Sequence, residues 1–127
     1  MGREILVVDD ERMIRSMLEK AFSREGYTVY SAESAEEALE MLEETRINVL
    51  FLDLKLPGMN GLDLCSTIRK QDPMVIAYAV TGYASLFELS DCRAAGFEDY
   101  FTKPVNLKTL FKAAGDAFDK FARWDKH

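Results

Sequence analysis

Residues 48–53, NVLFLD, decide the fold. Four consecutive apolar residues, Val49–Leu52, lack the alternation of a strand with one wet face, and the run is far shorter than an ordinary helix. It reads as a strand over 48–52 buried on both faces of a parallel sheet, delivering the acid Asp53 directly at its end. Two runs of the same kind stand at 4–9 (EILVVD) and 75–80 (VIAYAV). Those at 28–31 and 99–102 are shorter and more mixed, and suit the edges of the sheet.

Between these runs the periodicity is helical. Met13, Ile14, Met17, Leu18, Ala21 and Phe22 recur at three- and four-residue spacing, predicting a first helix with one buried stripe and a stop at Gly26. A second begins at Ser34, an N-cap with Glu37 three residues on, and turns Ala35, Ala38, Leu39 and Leu42 inward. A third covers 62–70 with Pro73 behind it, and a fourth, near 85–95 and stopped by Gly96, has the weakest stripe. A fifth carries Leu107, Leu110, Phe111, Ala114, Phe118 and Phe121 on one face. Five strands alternating with five helices predict an α/β fold, a doubly wound parallel sheet with helices on both faces. No repeat, linker or low-complexity stretch interrupts the 127 residues, so 1–127 is expected to form a single domain.

Twenty-two acids against sixteen Lys and Arg leave a net charge of −6, which argues against direct nucleic-acid binding through a domain-wide grip on phosphate backbones. Cys65 and Cys92 stand apart, with no C-x-x-C and a single histidine, His127, so neither a zinc site nor a disulfide framework is readable. A cytoplasmic location fits that cysteine usage. No apolar run approaches the roughly 18 residues of a membrane span, and the N-terminus reads as neither signal peptide nor anchor.

The chemistry gathers at the strand ends. In open parallel sheets ligands bind outside the carboxyl ends of the strands, where strand order reverses. The first strand ends in Asp9-Asp10-Glu11, the third runs into Asp53, the fourth into Thr81-Gly82 and the fifth into Lys103-Pro104. If the chain starts in the middle of the sheet and reverses direction after its second strand, Asp9, Asp10 and Asp53 meet in one crevice. Carboxylates that close repel strongly, and a cation must share the site. Mg2+, with Mn2+ as a substitute, suits it, because a hard ion of this kind takes one or two carboxylates and leaves room for phosphate oxygens. A divalent ion, a lysine and a hydroxyl facing a carboxylate suggest phosphoryl transfer, in which an aspartate can itself be the acceptor.

Segments 5–11 (ILVVDDE), 50–64 (LFLDLKLPGMNGLDL), 80–84 (VTGYA) and 100–104 (YFTKP) resemble, in order and spacing, the receiver domain of bacterial two-component response regulators, and the resemblance covers the whole chain. It implies a flavodoxin-like three-layer sandwich with strand order 2-1-3-4-5. It also implies that Asp53 is the phosphoacceptor, supplied by a sensor histidine kinase, a phosphotransfer protein or a small phosphodonor. Asp10 and Asp53 would hold Mg2+ directly, Asp9 through water, and the backbone carbonyl of Lys55 would complete the set. Lys103 would pair with the phosphoryl oxygens and precede a cis Pro104, Thr81 would move to the phosphoryl group, and Tyr100 would turn inward after it. By the same resemblance the chain is a switch and not an enzyme, catalysing only its own phosphorylation and dephosphorylation. Its fourth helix, fifth strand and fifth helix would meet an output domain, a partner protein or, on phosphorylation, a second copy. Lys55 and Tyr83, each two residues past a key site residue, flank the path of water and are expected to slow self-dephosphorylation.

Plainer readings stand beside these. Asp9 and Asp10 can cap the first helix, Thr81 can be a turn residue before Gly82, Lys103 can snorkel, and Tyr100 can be edge packing. Glu33, Glu36, Glu37, Glu40, Glu43 and Glu44 read as a solvated helix face, and Pro57-Gly58 and Asn60-Gly61 as turn signals. Three other functions share parts of the pattern. One is a receiver-like interaction module that works without phosphorylation. Another is a Mg2+-dependent phosphatase of the haloacid-dehalogenase type, which wants D-x-D where Asp9 and Asp10 are adjacent. The third is a flavodoxin-like FMN carrier, whose phosphate the D-D-E-R of residues 9–12 would repel.

Overall fold

The computed structural model describes residues 2–82 and 86–125. Its elements alternate as β1 (Glu4–Val8), α1 (Arg12–Arg24), β2 (Thr28–Ala32), α2 (Ala35–Glu44) and β3 (Val49–Leu52), followed by α3 (Gly61–Gln71), β4 (Ile76–Thr81), α4 (Leu86–Ala95), β5 (Asp99–Thr102) and α5 (Leu107–Asp125). The strands form one parallel sheet in the order β2-β1-β3-β4-β5, so the chain does start in the middle and reverse after β2. Strand and helix ends differ from the sequence reading by a residue or two, except at the C-terminal end of α5, where the terminal turn runs on past Phe121.

The side chains of the central strands sort by the two-residue period of a pleated strand into two cores. Leu6, Val8, Leu50, Leu52, Ala77 and Ala79 pack with Ala35 and Ala38 of α2, Leu64 and Ile68 of α3 and Cys92 of α4. Ile5, Val7, Val49, Phe51, Ile76, Tyr78 and Val80 pack on the other face with Leu18 and Phe22 of α1 and Leu110, Ala114 and Ala117 of α5. The result is three layers, with α2, α3 and α4 on one side and α1 and α5 on the other. Full burial of each large apolar side chain contributes about 1.5–3 kcal/mol, which is why continuous apolar runs are found in β1, β3 and β4 and not at the edges. Edge strand β5 is exposed at Asp99, Tyr100 and Thr102.

Local signals account for the helix starts. Ser34 Oγ accepts the Glu37 N–H at 3.1 Å, and Glu37 Oε1 accepts the N–H of Glu33, one residue before the cap. Asn60 Oδ1 accepts the Asp63 N–H at 2.9 Å to open α3. The stripe assigned to α1 needs correction: Met13 is 84% exposed and Met17 37%, while Leu18, Ala21 and Phe22 are buried. At 100° per residue, Met13 and Met17 lie roughly a quarter turn or more to the side of the Ile14, Leu18, Ala21 and Phe22 stripe that meets the sheet. Among the described residues no helix is long and apolar enough to cross a membrane.

Candidate functional site

The sheet ladder itself places the acids. The Asp9 N–H donates to the Ala32 carbonyl at 3.1 Å and the Asp53 N–H to the Val8 carbonyl at 2.9 Å, carrying strand pairing one residue past β1 and β3. In the same way the Lys103 N–H donates to the carbonyl of Thr81 at 2.7 Å, tying the end of β5 to the end of β4. Asp9, Asp53, Thr81 and Lys103 are thus held by backbone pairing with the neighbouring strand. Asp9, Asp53 and Thr81 are buried, whereas Asp10 is exposed.

Asp9, Asp10 and Asp53 each turn a carboxylate oxygen to one point, with the three oxygens within 4.8 Å of one another. Neither Asp9 nor Asp10 caps α1, whose N-cap is Glu11 with no side-chain cap bond. Instead Asp9 Oδ1 accepts the Glu11 N–H at 2.9 Å in a local turn, and Asp53 Oδ1 accepts the Lys55 N–H at 3.1 Å. Lys103 Nζ reaches into the cluster at 2.8 Å from Asp9 Oδ2 and 3.2 Å from Asp53 Oδ2. It also lies 3.4 Å from Glu11 Oε1. The Lys103–Pro104 peptide is cis.

The electrostatics follow from burial. Burial raises the Asp53 pKa above its ordinary 3.8, and the Asp9 charge adds to this; the Lys55 N–H and Lys103 pull the other way without cancelling it. For Lys103 burial alone would favour the neutral amine, but the hydrogen bond to Asp9 and the charges of Asp53 and Asp9 outweigh it and raise its pKa. One ammonium thus neutralises part of a site holding three carboxylates. The remaining negative charge, two buried donors and one exposed one fit a hard divalent cation that keeps some of its water.

Tyr100 stands on β5 with 38% of its surface exposed, its N–H held by Asp99 Oδ1 at 2.8 Å. Lys55 is exposed beside the crevice, and Tyr83 lies outside the described residues. Two contributors escaped the sequence reading. Glu11 approaches Lys103, and Arg15 Nη1 donates to the Asp9 carbonyl at 2.7 Å. The only signal for them was their position on the first turn of the helix that follows Asp9-Asp10. Gly61, read from sequence as a turn residue, opens α3 so close to the chain leaving Asp53 that a Cβ there would lie 2.1 Å from the Asp53 carbonyl oxygen.

A doubly wound sheet that gathers three carboxylates and a lysine outside the carboxyl ends of its strands has the ligand crevice of its fold class filled by acidic and basic side chains. The chain belongs to the response regulator receiver domain family, whose sequence model matches residues 5–115. It is 30% identical over 110 residues to sporulation initiation phosphotransferase F of Bacillus subtilis, spanning 87% of this chain and 89% of that protein. A cyclic di-GMP phosphodiesterase of Thermotoga maritima is 32% identical over 106 residues, which is 84% of this chain but only 28% of that protein's length. The crystal structure of a CheY-like response regulator receiver domain protein from Methanospirillum hungatei superposes with a TM-score of 0.92 at 33% identity, covering 97% of this chain and 98% of the other. The chain is a receiver domain of two-component signalling, and the family it belongs to is one of phosphoacceptor switches. Receiver domains bind Mg2+ at an acidic aspartate cluster, and Asp9, Asp10 and Asp53 form one here.

Proposed function

We propose that Asp53 is the residue that accepts the phosphoryl group, from a phosphohistidine on a sensor kinase or phosphotransfer protein or from a small phosphodonor. An Asp53 carboxylate oxygen attacks phosphorus, a new P–O bond forms, and the P–N bond breaks with its electron pair going to the departing imidazole. Asp10 and Asp53 would hold the divalent ion, with Asp9 assisting through water and the Lys55 carbonyl completing the protein's share. When bound, that ion neutralises charge on the transferring phosphoryl oxygens. Lys103 already sits between Asp9 and Asp53 and supplies a permanent positive charge to the same oxygens.

The switch follows from the added charge. A phosphoryl group brings about −1.5 to −2 charge and strong acceptor oxygens, which favour the arrangement with the Thr81 hydroxyl drawn to it and Tyr100 turned inward. The face made by α4, β5 and α5 then meets the output domain, partner protein or second copy. Residues 1–127 act as one receiver domain, in the cytoplasm, where the kinases that supply such phosphoryl groups work. Lys55 and Tyr83 slow loss of the phosphoryl group by obstructing water.

The observation that carries this reading is the buried Asp53 carboxylate bridged by Lys103 to Asp9 at the end of adjoining strands. It is tested by intact-mass spectrometry after incubation with acetyl phosphate and Mg2+. Wild type should gain one phosphoryl group and Asp53→Asn none; no gain in wild type, or equal gain in both, defeats the assignment. A partner-binding activity unchanged in Asp53→Asn would favour the phosphorylation-independent module. Followed over time, the label should be lost faster from Lys55→Ala and Tyr83→Ala than from wild type, and equal or slower loss would refute their role.

A further inference from the structure

The loop between β3 and α3, residues 53–60, carries the Lys55 carbonyl proposed as a metal ligand. Its two ends are secured close to the chain that leaves β3. The Lys55 N–H donates to Asp53 Oδ1, and the Gly61 N–H donates to the Leu54 carbonyl at 3.0 Å. The middle of the loop has a different anchor. Glu36 Oε2, from the first turn of α2, accepts the Met59 N–H at 3.3 Å across 23 residues of sequence.

The approach is shaped for that carboxylate. Gly58, just before Met59, has φ +74°, and a Cβ there would lie 3.0 Å from Glu36 Oε2. Glycine permits the left-handed turn that presents the Met59 N–H to the acid. The neighbouring glutamate does other work: Glu37 completes the cap of α2, leaving Glu36 as the acid of that turn that points to the loop. The sequence reading placed Glu36 on a solvated acidic face, and it is exposed; its contact with Met59 sets it apart from that face.

We propose that Glu36 is a positioning residue for the divalent-cation site: it clips the loop to α2 and so fixes the Lys55 carbonyl relative to Asp9, Asp10 and Asp53. This rests on the reading of those residues as the metal ligands. Groups that hold metal ligands still raise the affinity for the metal, and losing one bonded directly to a ligand weakens binding by about tenfold to a hundredfold; Glu36 acts through Met59, four residues from Lys55, which puts its effect at the low end of that range. Because the clip uses a carbonyl-type oxygen and not the charge as such, glutamine can replace the glutamate.

The test is Mn2+ binding followed by electron paramagnetic resonance, together with amide hydrogen exchange at Met59 without metal. Glu36→Ala should bind Mn2+ about tenfold more weakly than wild type and exchange the Met59 amide faster. Glu36→Gln, which keeps an acceptor oxygen for the Met59 N–H, should bind Mn2+ as wild type does. Wild-type affinity in Glu36→Ala, or equal weakening in both variants, overturns the role of the clip. If wild type and Asp10→Asn bind Mn2+ equally poorly, the reading of the metal site itself fails and takes this inference with it.

Discussion

Asp53 sits where its charge is disfavoured, and that has a measurable consequence for stability. A carboxylate whose folded pKa lies above its unfolded value holds its proton more tightly in the folded state. Stability is then lost as pH rises from about the ordinary value of 3.8 through the raised folded value, and at neutral pH the ionised Asp53 destabilises the fold. Asn in its place keeps an acceptor for the Lys55 N–H and removes the repulsion with Asp9. Asp53→Asn should therefore melt a few degrees higher than wild type at pH 7 in EDTA. Adding Mg2+ should narrow the gap, since a ligand that binds only the folded wild-type site stabilises that protein preferentially. Thermal melts of both proteins with and without Mg2+ check this, and a lower melting temperature for Asp53→Asn in EDTA would count against it.

At the scale of elements, the loop after β3 limits what the sequence tolerates. A Cβ at Gly61 would meet the Asp53 carbonyl oxygen at 2.1 Å and the Leu54 Cα at 2.8 Å, both backbone atoms that cannot swing aside. Gly61→Ala should cost on the order of 1–3 kcal/mol, the usual range for overpacking, and should slow phosphorylation by displacing the chain that carries Asp53. Gly115 provides the contrast. It lies within α5, and a Cβ there would have no neighbouring atom inside 4 Å, so Gly115→Ala should stabilise by roughly 0.5–1 kcal/mol. Urea denaturation of the two variants separates them by sign. The sequence marks Gly61 as a turn residue and sets Gly115 within a helical stripe, but only the packing shows that the first has no room for a Cβ and the second does. Apolar runs and strand-end acids were legible because burial on two faces and delivery to a switch point leave one-dimensional traces. Met13 and Met17 misled because a stripe six residues rich is wider than the arc α1 presents to the sheet, and methionine carries no mark of which side it takes. Glu11, Arg15 and Glu36 were illegible as site residues because their partners, Lys103, the Asp9 carbonyl and the Met59 amide, are set by tertiary approach.

Across the whole molecule, the site and the outer face are joined by β4 and β5. Thr81 pairs with Thr102 in the sheet register and Ala79 with Tyr100, so the threonine proposed to move and the aromatic proposed to follow stand two residues apart along neighbouring strands. The Lys103 N–H to Thr81 carbonyl bond ties the same two strands at the crevice. A near-complete flip, from 1:99 to 99:1, requires about 5.5 kcal/mol of differential interaction between the two conformations. Lys103, Thr81 and a cation acting on one phosphoryl group offer several charge-assisted contacts, each worth about 1.5–3 kcal/mol. Those contacts can supply the difference only if they are stronger in the inward state, because equal interaction with both states shifts nothing. Tyr100 reports on that requirement, since its exposed ring must become covered if the populations move. Nitration of Tyr100 by tetranitromethane, read by peptide mass spectrometry, should fall several-fold when wild type is held phosphorylated with acetyl phosphate and Mg2+. The buried Tyr78 serves as the internal reference, and Asp53→Asn should show no change. Equal nitration of Tyr100 with and without the phosphodonor, in protein shown by mass to be phosphorylated, would separate phosphorylation from the aromatic movement and place the output signal elsewhere on the α4, β5 and α5 face.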